Sequence, residues 1–418
     1  MMTRKEILLH ATLLIITCIL FSFFQHKITY SNGEGSYDGV AYAKIVKDLR
    51  AGVPPQAELP FLYRLAVPYV VAKLPVTDIV NAFFVVNLIG SIVSFFLFIY
   101  WISLFIRTPW VRVTAGLLFI LSFHSDLRMA FYHPVEVDQW MTVFLLLGLI
   151  VMARGNATSR QGMLFMSGVA FFGSLVREST MMLPVAYLFL TLRVRIHPDE
   201  DRPWQLQLPP PAAFIPLFAS AAAVALTHYA VPAQPSFFTA TAFNWLYQKP
   251  LPDYIYGVLI AFGFIPLLFI LFPRLLRQEM RKHPEHLAIA VMVILLAYFG
   301  GFATYRIVYW MIPVILLWTA ALLERIPRAA MNTALLTTLA LFHIYSQRVF
   351  IPLPDYYPDL PLCNSPMLIT PLNIDAHIYD VIGLGARECS LIGFTQYMAT
   401  YILLYLIFRF RITRRIGS

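Results

Sequence analysis

Charge is what this chain has least of. Asp, Glu, Lys and Arg make up 13% of its 418 residues, against about 25% in an ordinary soluble domain. That shortage sets aside the two or three soluble domains a chain of this length would otherwise suggest. Cysteine is scarce too, with three residues in all. No internal repeat, low-complexity tract or soluble domain is visible, and the missing repeat counts against a transporter built from inverted halves. The first apolar run, Ile7–Phe24, is followed by Gln25-His26-Lys27 and not by a small-x-small cleavage site. A retained first span is therefore expected, not a removed signal peptide.

What is present in abundance is apolar. Hydrophobic residues make up 59% of the chain, and mean hydropathy is +0.70. Apolar runs lie near residues 7–24, 79–106, 113–125, 139–153, 162–176, 179–192, 213–231, 255–273, 286–302, 307–323, 329–345 and 391–408. A hydrocarbon core of ~30 Å takes about 20 helical residues to cross. Several central runs are short, so they must extend into polar flanks or break within the membrane. The expected fold is all-α: one polytopic transmembrane domain over 1–418, with about twelve spans in a range of roughly 10–13.

An even number of spans puts both termini on one side, and the tail "RFRITRRIGS" makes that side the cytoplasm. The inner loops then carry Arg107 and Arg112, Arg154 and Arg160, the "LLRQEMRKH" stretch, and Arg325 and Arg328, while acids collect opposite. The net charge of +9 thus reads as a positive-inside bias, not as a nucleic-acid surface. The lipid bilayer is the expected partner. The bacterial inner membrane is the expected location, with the endoplasmic reticulum left open.

Two outer segments are long, 25–78 and 346–390. Within the first, "FLYRLAVPYVVAKL" (near 61–74) is too short to span and reads as a helix lying in the interface. The second is proline-rich and reads as an irregular cap. It holds Cys363 and Cys389, candidates for a disulfide in a compartment where disulfides persist, with two free thiols as the alternative. Cys18 lies within the first span and reads as packing.

The conspicuous polar residues gather at the outer ends of the spans. In chain order they are Glu34 and Asp38, Tyr63-Arg64, Asp126, the "YHPVEVD" stretch from Tyr132 to Asp138, Arg177-Glu178 and Tyr305-Arg306. Ionisable groups in such places are costly and usually paired or functional. Each has a plainer reading. Arg64 and Arg306 can snorkel to headgroups, Asp126 and Glu136 can be solvated loop acids, and Arg177-Glu178 can be a structural pair tying two helices. His133, Glu136 and Asp138 resemble metal ligands, but only His133 and Glu136 share helical spacing, and Pro134 interrupts it.

"SYDGVAYAKI" after the first span, "PFLYRLAVP" late in the first outer loop, "HPVEVDQW", "LVREST" and "TYRIVYWMIP" together resemble the GT-C superfamily of membrane glycosyltransferases. The resemblance covers the N-terminal half and the general twelve-span plan. It implies sugar transfer from a polyprenyl-phosphate donor to a glycan, lipid or protein acceptor at the outer face. It implies that Asp38 is the catalytic carboxylate, which deprotonates or orients the acceptor, in some members with a divalent metal (Mg or Mn). Glu136 or Asp138 is the nearest match to a second acidic motif, and the spacing does not choose between them. Arg64, Arg177 and Arg306 stand on the correct side to hold phosphate, a task suited to the permanently charged guanidinium fork. Glu178, His133 and Tyr305 complete the candidate substrate contacts. Tyr37, with Tyr63, Tyr132 and Trp140, is placed to stack on sugar, or to belong to an interfacial belt. The alternatives are a transporter or flippase for a lipid-linked saccharide, and a non-catalytic polysaccharide-assembly subunit.

Overall fold

A computed structural model of the chain describes residues 2–25, 27–28, 30–34, 37–57, 60–154, 157–196, 204–230, 251–299, 304–326, 333–347, 349–350, 395 and 397–409. Helix α1 (Arg4–Phe24) begins with a capping box, in which Thr3 and Glu6 satisfy each other's amides. Its buried residues are Glu6, His10, Leu14, Thr17 and Phe21, spaced by three or four and so lying on one face. Most of that face is polar, while Leu8, Ile15, Ile16, Ile19 and Phe23 on the other faces are exposed. This is the reverse of a helix in water, whose apolar stripe turns inward. Glu6 meets Arg112 of α5 (Pro109–Leu121) in a buried ion pair, so the inward polar face has a partner.

Helix α4 (Ile79–Ser103) starts where the Asp78 carboxylate accepts from the Val80 amide. Its 25 residues give about 37 Å at 1.5 Å per residue, enough to cross a bilayer. By length and composition three helical segments can cross a membrane: α1, α4 and Pro211–Tyr229, which holds α10 (Ile215–Ala230). A fourth is possible if α13 (Pro273–Lys282) and α14 (Pro284–Phe299), bent by 108° at their junction, count as one. Exposed Ile, Leu, Phe and Val side chains cover α1, α4, α10 and α14. A soluble monomer rarely shows contiguous apolar surface beyond a few hundred Å², and the chain is a helical, membrane-associated protein.

The remaining helices are short. They include α6 (Asp126–Tyr132), α7 (Asp138–Ala153), α8 (Arg160–Val176) and α9 (Met182–Thr191). Helix α7 packs between α4 and α8, and α8 packs on α10. An antiparallel ribbon, β1 (Arg193–Ile196) paired with β2 (Trp204–Gln207), is the one departure from an all-helical chain among the described residues. Further along come α11 (Leu251–Phe262), α12 (Ile265–Leu271), α15 (Thr304–Tyr309), α16 (Ile312–Arg325), α17 (Thr333–Ser346) and α18 (Tyr397–Arg409). Prolines occupy the first turns of α5, α12, α13 and α16, where a missing amide costs no hydrogen bond. The short apolar runs are thus helices restarted at proline, and Gly263, at φ 56°, makes the break between α11 and α12.

The segment after α1 holds α2 (Tyr37–Arg50) and α3 (Ala66–Lys73). The stretch expected as one interfacial helix is divided: Phe61–Tyr63 forms a single 3-10 turn, and the helix resumes only at Ala66. Arg64, with non-helical backbone between the two (φ −100°, ψ 56°), turns its side chain inward. Tyr69 and Val70 of α3 remain exposed. The second long segment, with Cys363 and Cys389, lies outside the described residues. Cys18 is a free thiol, partly buried.

Candidate functional site

The turn before α2 runs through Ser31, Asn32 and Gly33, all at positive φ. It brings Asp38 into the first turn of α2, where a carboxylate suits the helix dipole. Gly39 is needed for close approach: a Cβ there would stand 1.8 Å from the Glu34 carbonyl oxygen and 3.2 Å from His133 Nε2. The first turn of α2 therefore lies close against His133, in the "HPVEVD" turn that joins α6 to α7.

Arg306, on α15, is the hub. Its Nη1 donates to Asp38 Oδ2 at 2.7 Å, its Nε donates to Asp138 Oδ2 at 2.7 Å, and Nη1 lies 3.5 Å from Glu136 Oε1. One guanidinium thus joins three carboxylates from two parts of the chain. Asp138 also accepts from Arg177 Nη1 through its other oxygen, and Arg177 lies 4.4 Å from the centre of the Trp310 ring. Glu136 Oε1 accepts from His133 Nδ1 at 2.7 Å, which places the imidazole proton on Nδ1. Burial would raise the Glu136 carboxyl, yet Arg306 and His133 keep it well below the usual carboxylate range.

Arg177 and Glu178 are neighbours in sequence but do not pair. Arg177 has extended backbone, φ −158° and ψ 129°, so successive side chains point to opposite sides. Glu178 turns to Arg64, which grips it bidentately through Nε at 2.8 Å and Nη2, and which also donates to Tyr42 Oη at 3.1 Å. Neither Arg64 nor Arg306 snorkels outward. The Glu178 carboxyl, which burial would raise, is held low chiefly by Arg64. Burial, with Arg64 and Arg306 adding like charge, presses Arg177 down to about 9.

Several polar groups at this site have no hydrogen-bond partner among the described residues. They are Arg306 Nη2, Arg177 Nε, and both the oxygen and nitrogen of the fully buried Gln139. A small cavity is lined by Asp126, Glu136, Asp138, Gln139, Arg306 and Trp310, among others. Buried donors without acceptors are uncommon in proteins and need a reason; a polar ligand would supply it. Asp126 closes the cavity from below, held by Ser94 at 3.1 Å and Thr142 at 3.2 Å. Burial, only partly opposed by those two hydroxyls, pushes its carboxyl up to about 7.

Of the residues singled out from sequence, Asp38, His133, Glu136, Asp138, Arg177 and Arg306 form one connected network. Arg64 and Glu178 form a second pair beside it, tied in through Tyr42 of α2. Tyr305 is buried at the edge, its ring 4.4 Å from that of His124. The side chain of Tyr37 lies outside the described residues, and Glu34 is drawn to Lys47 instead. Sequence reading missed Asn87, Tyr42 and Gln139. Asn87 was legible as an amide deep in an apolar run, six residues beyond Asn81. It donates to the carbonyls of Pro134 at 2.7 Å and Glu136 at 2.8 Å, fixing the turn that carries Glu136.

The resemblance allowed Mg or Mn at this site. Asp38, Glu136 and Asp138 each direct an oxygen at Arg306, and among the described residues they do not bring three donor atoms within 4.8 Å of one another. As arranged, they do not fit a divalent cation, and no step below is routed through one.

The fold and site together define a membrane-associated helical protein with a buried, ion-paired cluster at one end of its helices. Comparison with protein-family models, curated proteins and solved structures finds no match to this chain.

Proposed function

We propose that this chain is a multi-pass membrane glycosyltransferase of the GT-C kind, moving a sugar from a polyprenyl-phosphate donor to a hydroxyl of a glycan, lipid or protein acceptor at the outer face. In this reading α1, α4, α5, α7, α8, α9, α10, α11 with α12, α14, α15 with α16, α17 and α18 are the twelve crossings. One observation carries the proposal. Asp38 and Arg306, 268 positions apart, meet in a buried network with Glu136, Asp138 and Arg177.

Each side chain has a task. Asp38 Oδ2 is held by Arg306, leaving Oδ1 to accept the proton of the acceptor hydroxyl. The acceptor oxygen attacks the anomeric carbon as the bond from that carbon to the phosphate oxygen breaks, with inversion. The leaving polyprenyl phosphate keeps the electron pair, and Arg306 Nη2 and Arg177 Nε are donors available to its oxygens. The exposed Tyr69 and Val70 on α3 give the lipid carrier an apolar approach.

The test is transfer from a radiolabelled polyprenyl-phosphate sugar by purified protein and by Asp38→Asn. Transfer lost in a folded variant is the expected result; equal transfer removes the catalytic assignment. A second reading, a non-catalytic subunit whose network only ties helices, is favoured by the carboxylates already being paired. A flippase would move lipid-linked saccharide across proteoliposomes, and would do so without Asp38.

A further inference from the structure

A second cluster lies at the far end of α4, away from the Asp38 network. The 108° bend between α13 and α14 places His283 at the corner, with Glu285 and His286 in the first turn of α14. Each offers one donor atom within 4.8 Å of the other two. His283 Nδ1 is 3.1 Å from Glu285 Oε1, and His286 Nε2 is 3.9 Å from the same oxygen.

The second observation is what these groups lack. His286 is fully buried, yet among the described residues neither of its ring nitrogens has a hydrogen-bond partner, and Glu285 Oε2 is buried without one as well. Burying such groups without partners is costly. Nor is the ring there for want of walls: Trp101 and Phe105 meet it at 5.4 and 5.6 Å, and Phe105 also meets His283 at 5.0 Å. Both imidazoles are packed against aromatic rings; His283 Nδ1 already meets Glu285 Oε1, while the His286 nitrogens have no hydrogen-bond partner among the described residues. A cavity of about 120 Å³ adjoins His283 and is lined also by Glu279, Lys282, Glu324 and Arg325. It supplies a route in from solvent and room for a water.

We propose that His283, Glu285 and His286 bind a divalent transition ion of the zinc class. Two imidazoles and one carboxylate suit zinc and disfavour magnesium, and three protein ligands with one open position is a known zinc arrangement. Ligand atoms ~2.0–2.2 Å from a tetrahedral ion stand roughly 3.3–3.6 Å apart, so the set must adjust on binding. His283, its side chain 34% exposed, has the freedom to do so. The α14 N-terminus, Lys282 and Arg325 oppose a cation. Glu279 offsets the last two, pairing with Lys282 at 3.0 Å and with Arg325. A bound ion would satisfy His286 and Glu285 and pin the corner between α13 and α14.

The experiment uses the untagged full chain in detergent, stripped with chelator and titrated with Co²⁺, then with Zn²⁺ in competition. Expected are visible d–d bands at one cobalt per chain, displaced by zinc. His283→Ala alters a corner residue that is partly solvent-exposed, so it should stay folded by size exclusion and circular dichroism. It and Glu285→Gln should each weaken cobalt binding at least about tenfold. Folded wild-type protein that takes up neither ion at micromolar concentration would overturn the proposal. So would affinity left unchanged in folded His283→Ala.

Discussion

Asp38 and Asp138 both touch Arg306, yet their removal should have opposite signatures. Asp38 accepts one charged hydrogen bond and its side chain is 21% exposed. In Asp38→Asn the amide oxygen can still accept from Arg306, and Arg306 keeps Asp138 at 2.7 Å and Glu136 at 3.5 Å. The stability loss should therefore stay below about 1.5 kcal/mol, the lower edge of the range for a hydrogen bond to a charged group, because the contact weakens without being removed. Losing a general base costs 10²- to 10⁴-fold in rate, or about 3–5 kcal/mol of barrier. Asp138→Asn leaves the buried Arg177 without a charged partner and the partly buried Arg306 short of one. Breaking a buried pair this way costs about 3–5 kcal/mol of stability. Thermal unfolding in detergent, read beside transfer of a radiolabelled lipid-linked sugar, separates the two. The reasoning fails if Asp38→Asn melts as early as Asp138→Asn, since Asp38 would then be a structural strut. It fails equally if folded Asp38→Asn transfers at the wild-type rate.

Asp126 predicts a pH slope. Its carboxyl sits at about 7 when folded and about 3.9 when unfolded, so the folded state keeps a proton that the unfolded state has released. Stability should fall as pH rises from about 4 to 7 and level off above, a change on the order of 4 kcal/mol. Asp126→Asn should flatten that slope and melt later than wild type at alkaline pH; identical slopes in both proteins would refute the assignment. Gly39→Ala should destabilise by about 1–3 kcal/mol, because the backbone oxygen of Glu34 cannot move aside for the new Cβ. Gly168→Ala, which meets nothing within 4 Å, is the helical control and should be neutral or slightly stabilising in the same melt. Asn87→Leu strips donors from two buried carbonyls, Pro134 and Glu136, at about 1–3 kcal/mol each. It should also lower any activity that depends on Glu136, and a variant with unchanged melting would show that the turn holds itself.

The positions of the charged residues were legible because a helix end is a local event. Asp78, Ser125 and Ser159 begin α4, α6 and α8 by capping amides two or three residues on, and the prolines restart helices by the same short-range logic. The packing of Gly39 against Glu34 was not legible, because it depends on how α2 re-enters the structure. Arg64 and Arg306 could be read singly as headgroup anchors. Only their partners, Glu178 and the three carboxylates around Arg306, show them facing inward.

The sequence by itself determined that this is a helical, membrane-associated chain with its ionisable residues at helix ends, since apolar run length and capping act within a few residues. The tertiary structure decided which charges meet. It parted Arg177 from Glu178 by extended backbone, sent one to Asp138 and the other to Arg64, and drew Asp38 to Arg306. Those choices follow from desolvation. A charge taken out of solvent must find its counter-charge wherever packing brings one within about 3 Å, however far apart the two lie in sequence.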